Sequence, residues 1–178
     1  MKKGTRIKKL PLTVKEQMKL LEIATSLTEY HKTLITFFLS KGIHPSCLYH
    51  PRKYELTWDK NYISWRRTKT GRLITSSWSK LMRGETANLR KLLGKSVQRY
   101  WQYVKEAGNM AGITGLCPLR LRYTYFTNRG RLGHHPYDVS ASSGTSMDTI
   151  YNYYTVGKEE MEKLTNEERK FLKELIEP

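Results

Sequence analysis

Three runs of sequence decide how this chain folds. They are Pro118-Leu119-Arg120-Leu121-Arg122-Tyr123-Thr124, then Gly133-His134-His135-Pro136-Tyr137-Asp138-Val139-Ser140, and finally Ser143-Gly144-Thr145-Ser146-Met147-Asp148-Thr149-Ile150-Tyr151-Asn152-Tyr153-Tyr154-Thr155. The first predicts a helix over about Arg120–Asn128, the second a short helix over Tyr137–Ser142, and the third a helix over Ser146–Tyr154.

Upstream, Thr13 and Glu16 have capping-box spacing and open a helix expected to run to about Tyr30. A second helix is expected over His31–Lys41, with Gly42 as its C-cap, and a helical turn follows at His44–Leu48. Lys53–Trp58, Tyr62–Arg67 and Leu73–Trp78 read as three strands of an antiparallel meander, with Thr68-Lys69-Thr70-Gly71 as a tight turn. Helices are expected over Glu85–Leu93 and Ser96–Gly108. Thr165 and Glu168 form a second capping box, before a terminal helix with Phe171, Leu172, Leu175 and Ile176 on one face. The fold class is therefore mainly α with a small antiparallel sheet (α+β).

The Leu-Arg-x-Thr helix start, the helix–turn–helix, the Gly-Thr-Ser turn and the helix ending in Tyr-Thr resemble the second conserved box of the tyrosine recombinases (phage-integrase family). The resemblance covers roughly residues 11–178. It is looser in the first half, where LTVKEQMKLLE, SKGIHPSCL and YISWRRTKTG carry it. It implies a tyrosine recombinase catalytic-domain-like fold over residues 13–163, preceded by a basic arm over 1–12. Residues 164–178 would then be a C-terminal helix, either exchanged between protomers or folded back on its own domain. The helical domain that usually clamps the other face of the DNA has no counterpart, and with Met1 at the start a natural half-clamp is the expectation.

In that family a tyrosine attacks a DNA phosphodiester without metal or cofactor. Cationic donors hold the pentavalent phosphate, and an acid protonates the leaving oxygen. The resemblance places the nucleophile at Tyr154, the second arginine at Arg122 and the hairpin lysine at Lys69. Tyr151 and Tyr153 compete with Tyr154, and either would otherwise be a core aromatic. Three positions depart from the pattern. His44 stands for the first arginine, Leu119 for a His or Lys, and Thr145 for a His or Trp. A histidine cannot make the arginine fork, and an alkyl group moves no proton. Leu132-Gly133-His134 imitates the family's Leu-Gly-His but lies too far before Tyr154, so His134 and His135 are expected to be loop residues.

Charge points to the same partner. The 178 residues carry 32 Lys/Arg against 16 Asp/Glu, a net charge of +16. Residues 156–178 hold seven Glu against five Lys/Arg, so the remaining 155 residues carry the whole surplus. A domain this basic implies a polyanion. The candidate DNA-binding set is Arg66, Arg67, Lys69, Arg72, Lys80, Arg83, Arg90, Lys91, Lys95, Arg99, Arg120, Arg122, Arg129 and Arg131. Interleaved aromatics (Trp65, Trp78, Tyr100, Trp101, Tyr123, Tyr125) would be core in a duplex binder and stacking platforms in a single-strand binder. Cys47 and Cys117 fit no zinc spacing, and no apolar run suits a membrane span or signal peptide. The expected partner is double-stranded DNA, with a second copy of the chain, met through the C-terminal helix, as a further candidate, and no membrane, metal, cofactor or small-molecule substrate. The expected location is cytoplasmic, at the nucleoid. The function expected is DNA binding with weak or absent strand cleavage, in a regulatory, architectural or mobile-element accessory role. An active minimal recombinase using His44 and Thr145 is the alternative. An RNA-binding basic protein is a third reading, disfavoured by the ordered boxes.

Overall fold

Thr13 does cap the first helix, accepting a hydrogen bond from the Glu16 amide while the Glu16 carboxylate accepts one from the Thr13 amide. The computed structural model describes residues 10–178. The chain runs α1 (Val14–Leu27), α2 (Glu29–Lys41), α3 (Pro45–Tyr49), β1 (Thr57–Trp58), β2 (Tyr62–Arg66), β3 (Leu73–Ser77), α4 (Lys80–Arg83) and α5 (Thr86–Leu92). It continues with α6 (Val97–Met110), α7 (Pro118–Arg131), α8 (Pro136–Ser143), α9 (Met147–Glu160) and α10 (Asn166–Ile176). The sheet is the expected antiparallel meander, ordered β1-β2-β3.

Four boundaries differ from the sequence reading. The first helix stops at Leu27, because Thr28 is extended and its hydroxyl caps α2. The strand expected over Lys53–Trp58 shrinks to two residues. Pro51–Glu55 instead turns helically after α3, with Tyr54 N donating to His50 O and Leu56 N to Pro51 O. The helix expected over Glu85–Leu93 is α5, and an unexpected short helix, α4, capped by Ser79, precedes it. The helix through Tyr154 continues to Glu160.

α2 is the hub. Leu34, Ile35, Phe37, Phe38 and Leu39 are all fully buried, and α1, α5, α6, α7 and α10 pack around them. Of the aromatics, Trp65, Trp78, Tyr100 and Tyr125 belong to this core, whereas Trp101 is exposed. α10 folds back onto its own domain against α2 and α4, burying Leu172, Leu175 and Ile176. Residues 1–9 of the expected basic arm lie outside the described residues. Its far end is no arm: Leu12 is fully buried and its amide donates to the Thr124 hydroxyl.

α7 and α9 are the most closely packed pair, and two glycines allow it. A Cβ on Gly157 would overlap the Thr127 carbonyl oxygen, and one on Gly130 the Tyr154 carbonyl oxygen. The helices touch backbone to backbone, which brings the Tyr153 ring onto the Tyr123 ring, 4.2 Å between centroids and 6° from parallel.

Candidate functional site

Four separate elements deliver side chains to one cavity of about 200 Å³. The α3 cap supplies His44, the β2–β3 hairpin Arg67, Thr68 and Lys69, α7 supplies Arg122 and Tyr123, and the α8–α9 turn Gly144, Thr145 and Ser146. Thr149, in the first turn of α9, completes the lining. A larger cleft of about 820 Å³ between Tyr49 and Thr57 gathers no comparable set of converging cations. Convergence of charge, not size, marks the smaller cavity as the site.

Arg122 is the floor. Only 8% of its surface is exposed. Its Nε donates to the Gly42 carbonyl at 2.8 Å and its Nη2 to the Thr145 hydroxyl at 2.6 Å. The guanidinium lies over the Phe126 ring at 5.3 Å. Both hydrogen-bond partners are neutral, and no carboxylate pairs with it among the described residues. Burial, with nearby Arg67 adding to it, lowers its pKa from 12.5 to about 10, so it stays charged at neutral pH. A buried cation held by neutral acceptors is a costly arrangement that an anion relieves.

His44 caps α3, its Nδ1 accepting from the Ser46 amide at 3.2 Å. That bond assigns the neutral ring the tautomer with a proton on Nε2, leaving a single donor. Burial and the Arg122 charge push its pKa down to about 4, so it is uncharged at neutral pH. Lys69 is exposed at the hairpin tip. Cys47 is buried nearby, and burial raises its thiol to about 12, which makes it inert.

Of the six catalytic positions suggested by sequence, four meet here: His44, Lys69, Arg122 and Thr145. Leu119 and Tyr154 are not part of the lining. The Tyr154 hydroxyl donates to the His134 carbonyl at 2.6 Å, beside Arg129 rather than Arg122. The neighbouring ring, Tyr153, lies one turn beyond Thr149 and stacks on Tyr123 of the lining. The sequence reading kept Tyr153 only as a competitor of the favoured Tyr154, otherwise a core aromatic, and gave Tyr123 no role beyond an interleaved ring. The helical phase of Thr145, Thr149 and Tyr153 was the signal available.

The DNA-binding set divides by environment. Arg67 and Lys69 line the cavity, and Arg72 and Arg83 are exposed. Arg66 is paired with Glu55, Lys80 with Glu174 and Lys91 with Glu29, all at the surface, where such pairs are weak and exchange readily. Arg90, Lys95 and Arg99 lie over Trp58, Tyr30 and Tyr103. Arg120 spans the Leu10 and Thr114 carbonyls. Arg131 must be removed from the set. It is 1% exposed and committed to Glu160, the Leu12 carbonyl and Asn128, so it fastens α7 to α9 and reaches no solvent. His135 caps α8, and His134 lines a different cavity from that of Arg122.

Among the described residues no helix is long and apolar enough to cross a membrane. No protein-family model matches the chain, and no curated protein matches it either. Solved structures do. The XerA recombinase superposes with a TM-score of 0.67 at 16% identity, covering 92% of this chain and 63% of that one. The XerH site-specific recombinase bound to its palindromic difH substrate, a post-cleavage complex, gives 0.64 at 16% identity, covering 86% and 52%. Its pre-cleavage complex with difH gives 0.63 at 19% identity, covering 90% and 55%. The chain thus spans between about half and three fifths of the length of these proteins. Its fold is the tyrosine recombinase catalytic-domain fold.

Proposed function

We propose that this domain binds double-stranded DNA and seats one backbone phosphate on Arg122, with Arg67, Lys69, His44 and Thr145 around it. The observation that supports this most is the buried Arg122 guanidinium with neutral partners only. A phosphodiester supplies the missing charge, and its two free oxygens suit a planar fork of donors. The hairpin cations and the exposed Arg72 and Arg83 add sequence-independent phosphate contacts.

Strand cleavage is slow or absent in this reading. His44 contributes one neutral donor in place of one of the two arginine forks that would stabilise a trigonal-bipyramidal phosphate. Leu119 moves no proton. Removing one such donor costs ~10²–10³ in rate. The role is then regulatory, architectural or accessory to another DNA-acting protein. Duplex affinity measured against salt tests the binding. If six or more phosphates are neutralised, log K falls against log[salt] with a slope of about −5 or steeper. A slope shallower than about −2 excludes the phosphate backbone as the main partner.

One observation favours a second reading, a slow but active recombinase. Tyr153 is stacked on the rim residue Tyr123, and burial raises its phenol above the ordinary value, which keeps it protonated until a cationic site activates it. In that case the Tyr153 oxygen bonds to phosphorus as the bond to the leaving sugar oxygen breaks, Lys69 gives its proton to that oxygen, and the proton lost by the phenol passes through solvent to restore Lys69. A suicide substrate distinguishes the phenols. A protease-sensitive covalent adduct that disappears in Tyr153→Phe and persists in Tyr154→Phe supports this chemistry. Loss in Tyr154→Phe alone restores the assignment made from sequence, and no adduct in any protein leaves the binding role.

A further inference from the structure

Beyond the α2 terminus from Arg122 lies a second cationic cavity, of about 680 Å³, which the recombinase-like chemistry does not use. Lys41, Ser77, Arg129, His134, Ser142 and Glu177 are among its lining. Its walls are continuations of the walls of the first. Lys41 faces this cavity while the carbonyl of the next residue, Gly42, holds Arg122. Arg129 follows Arg122 by seven residues on α7, two turns along the same face and about 10 Å away. Ser142 and Thr145 sit on either side of Gly144 at the α8–α9 turn, one in each cavity.

The groups inside are those of an anion site. Lys41 is 3% exposed, and its ammonium donates to the Ser77 carbonyl without any carboxylate partner among the described residues. Burial first, and then the charge of Arg129, hold its pKa down to about 7. The Nη1 of Arg129 donates to the Tyr125 hydroxyl at 2.9 Å, but its Nε is buried with no partner. The Nδ1 of His134 is likewise buried with no partner, while its Nε2 lies 3.1 Å from Glu177. A fastening role accounts for Lys41, which ties the end of α2 to the end of β3. It does not account for two adjacent cations without a carboxylate partner, nor for the orphaned Nε donor of Arg129, whereas the orphaned His134 Nδ1 is an acceptor once Nε2 donates to Glu177.

We propose that this cavity is a second phosphate site, in which Arg129 Nε, the Lys41 ammonium and the Ser142 hydroxyl hold the oxygens of one phosphate group. Glu177, the sole acidic side chain of a lining that also includes Pro178, stands at its lip on His134 and competes with the incoming anion. The phosphate comes either from the duplex backbone next to the one on Arg122 or from a free phosphate or phosphate ester. The cavity stands on its own geometry and does not depend on any strand chemistry at Arg122.

The test is titration of the full chain with inorganic phosphate, read by calorimetry and by the NMR signals of the His134 imidazole and the Ser142 amide. These signals shift in the wild type and in Arg122→Gln, which lacks only the first site. In Arg129→Gln and Lys41→Met the affinity read at those signals falls roughly tenfold or more, as expected for losing a charged donor. Glu177→Gln tightens it. If Lys41→Met fails to fold, Arg129→Gln and Glu177→Gln carry the test. A duplex source shows as a salt slope smaller by ~0.9 in Arg129→Gln. An unchanged slope with the phosphate shifts intact identifies the free anion. The proposal is overturned if phosphate leaves the His134 and Ser142 signals unmoved, or if Arg129→Gln titrates like the wild type.

Discussion

Replacing Arg122 with glutamine separates what this side chain does for the fold from what it does for a ligand. Its two donated bonds, to the Gly42 carbonyl and the Thr145 hydroxyl, each contribute roughly 1.5 kcal/mol. Against them stands the burial of the charge. A pKa lowered from 12.5 to about 10 corresponds to a cost of about 3 kcal/mol for the charged form. The two nearly cancel. Arg122→Gln therefore changes the stability of the free domain by about 1 kcal/mol or less, a Tm shift of ~2–4 °C in a chain of this size. Duplex binding responds very differently. Losing a charged fork to phosphate costs roughly 1.5–3 kcal/mol, or about 10- to 150-fold in Kd. The slope of log K against log[salt] shrinks by ~0.9, the share of one phosphate. Thermal melts of the free protein and fluorescence anisotropy with a labelled duplex at several salt concentrations measure both. A Tm lower by ~10 °C or more with unchanged duplex affinity would refute the reasoning and make Arg122 a structural residue.

Gly157→Ala forces a methyl group into the Thr127 carbonyl, so α7 and α9 must separate. A loss of ~1–3 kcal/mol is expected in chemical denaturation, and a neutral result would mean the helices are not in backbone contact. Removal of everything after Thr165 strips Leu172, Leu175 and Ile176 from the core, at roughly 1.5–3 kcal/mol each. A large fall in melting temperature is expected, whereas unchanged melting with loss of an oligomer on DNA would show that the helix is exchanged between copies. Lys41 has a folded pKa of about 7 and an unfolded one near 10.5, so the unfolded chain binds the extra proton between those values. Stability from this group therefore rises as pH climbs from about 7 towards 10.5 and is flat below 7. Denaturation midpoints of the wild type minus those of Lys41→Met show that rise, and parallel curves would contradict the buried, depressed lysine.

Local signals carried far. Both capping boxes, the Gly42 cap and the meander order are written in short runs, where one residue type at one spacing has one physical use. The strand expected over Lys53–Trp58 shows where that ends. Its alternation is real, but Pro51 and the bonds back to His50 and Pro51 curl it into a turn instead. Arg122 and Arg131 look alike as letters on one helix. The arrival of Glu160 from α9, 29 residues on, and of the Leu12 carbonyl from the start of the chain makes one of them internal. Adjacent tyrosines are separated by about 100° of helical phase, so the choice between Tyr153 and Tyr154 depends on how α9 is rotated against α7. The two glycines at that crossing set the rotation. Lys41, the last residue of a helix, reads as a solvated cation, and nothing local announces that β3 and α7 close over it.

The end of α2 has a consequence for communication across the domain. Lys41 and Gly42 are consecutive, and they serve different cavities, one by its ammonium and the other by its carbonyl. Gly42 takes a left-handed conformation with φ of 59°, and the Tyr125 ring lies so close that no side chain fits there. The joint cannot relax by local substitution, and a pull on one residue is transmitted to the other through a single peptide unit. An anion that drew Lys41 off the Ser77 carbonyl would therefore act next to the carbonyl that aims Arg122, and a phosphate that turned Arg122 would act next to Lys41. If phosphates occupy both cavities, linkage requires any free energy of coupling between them to be the same in both directions.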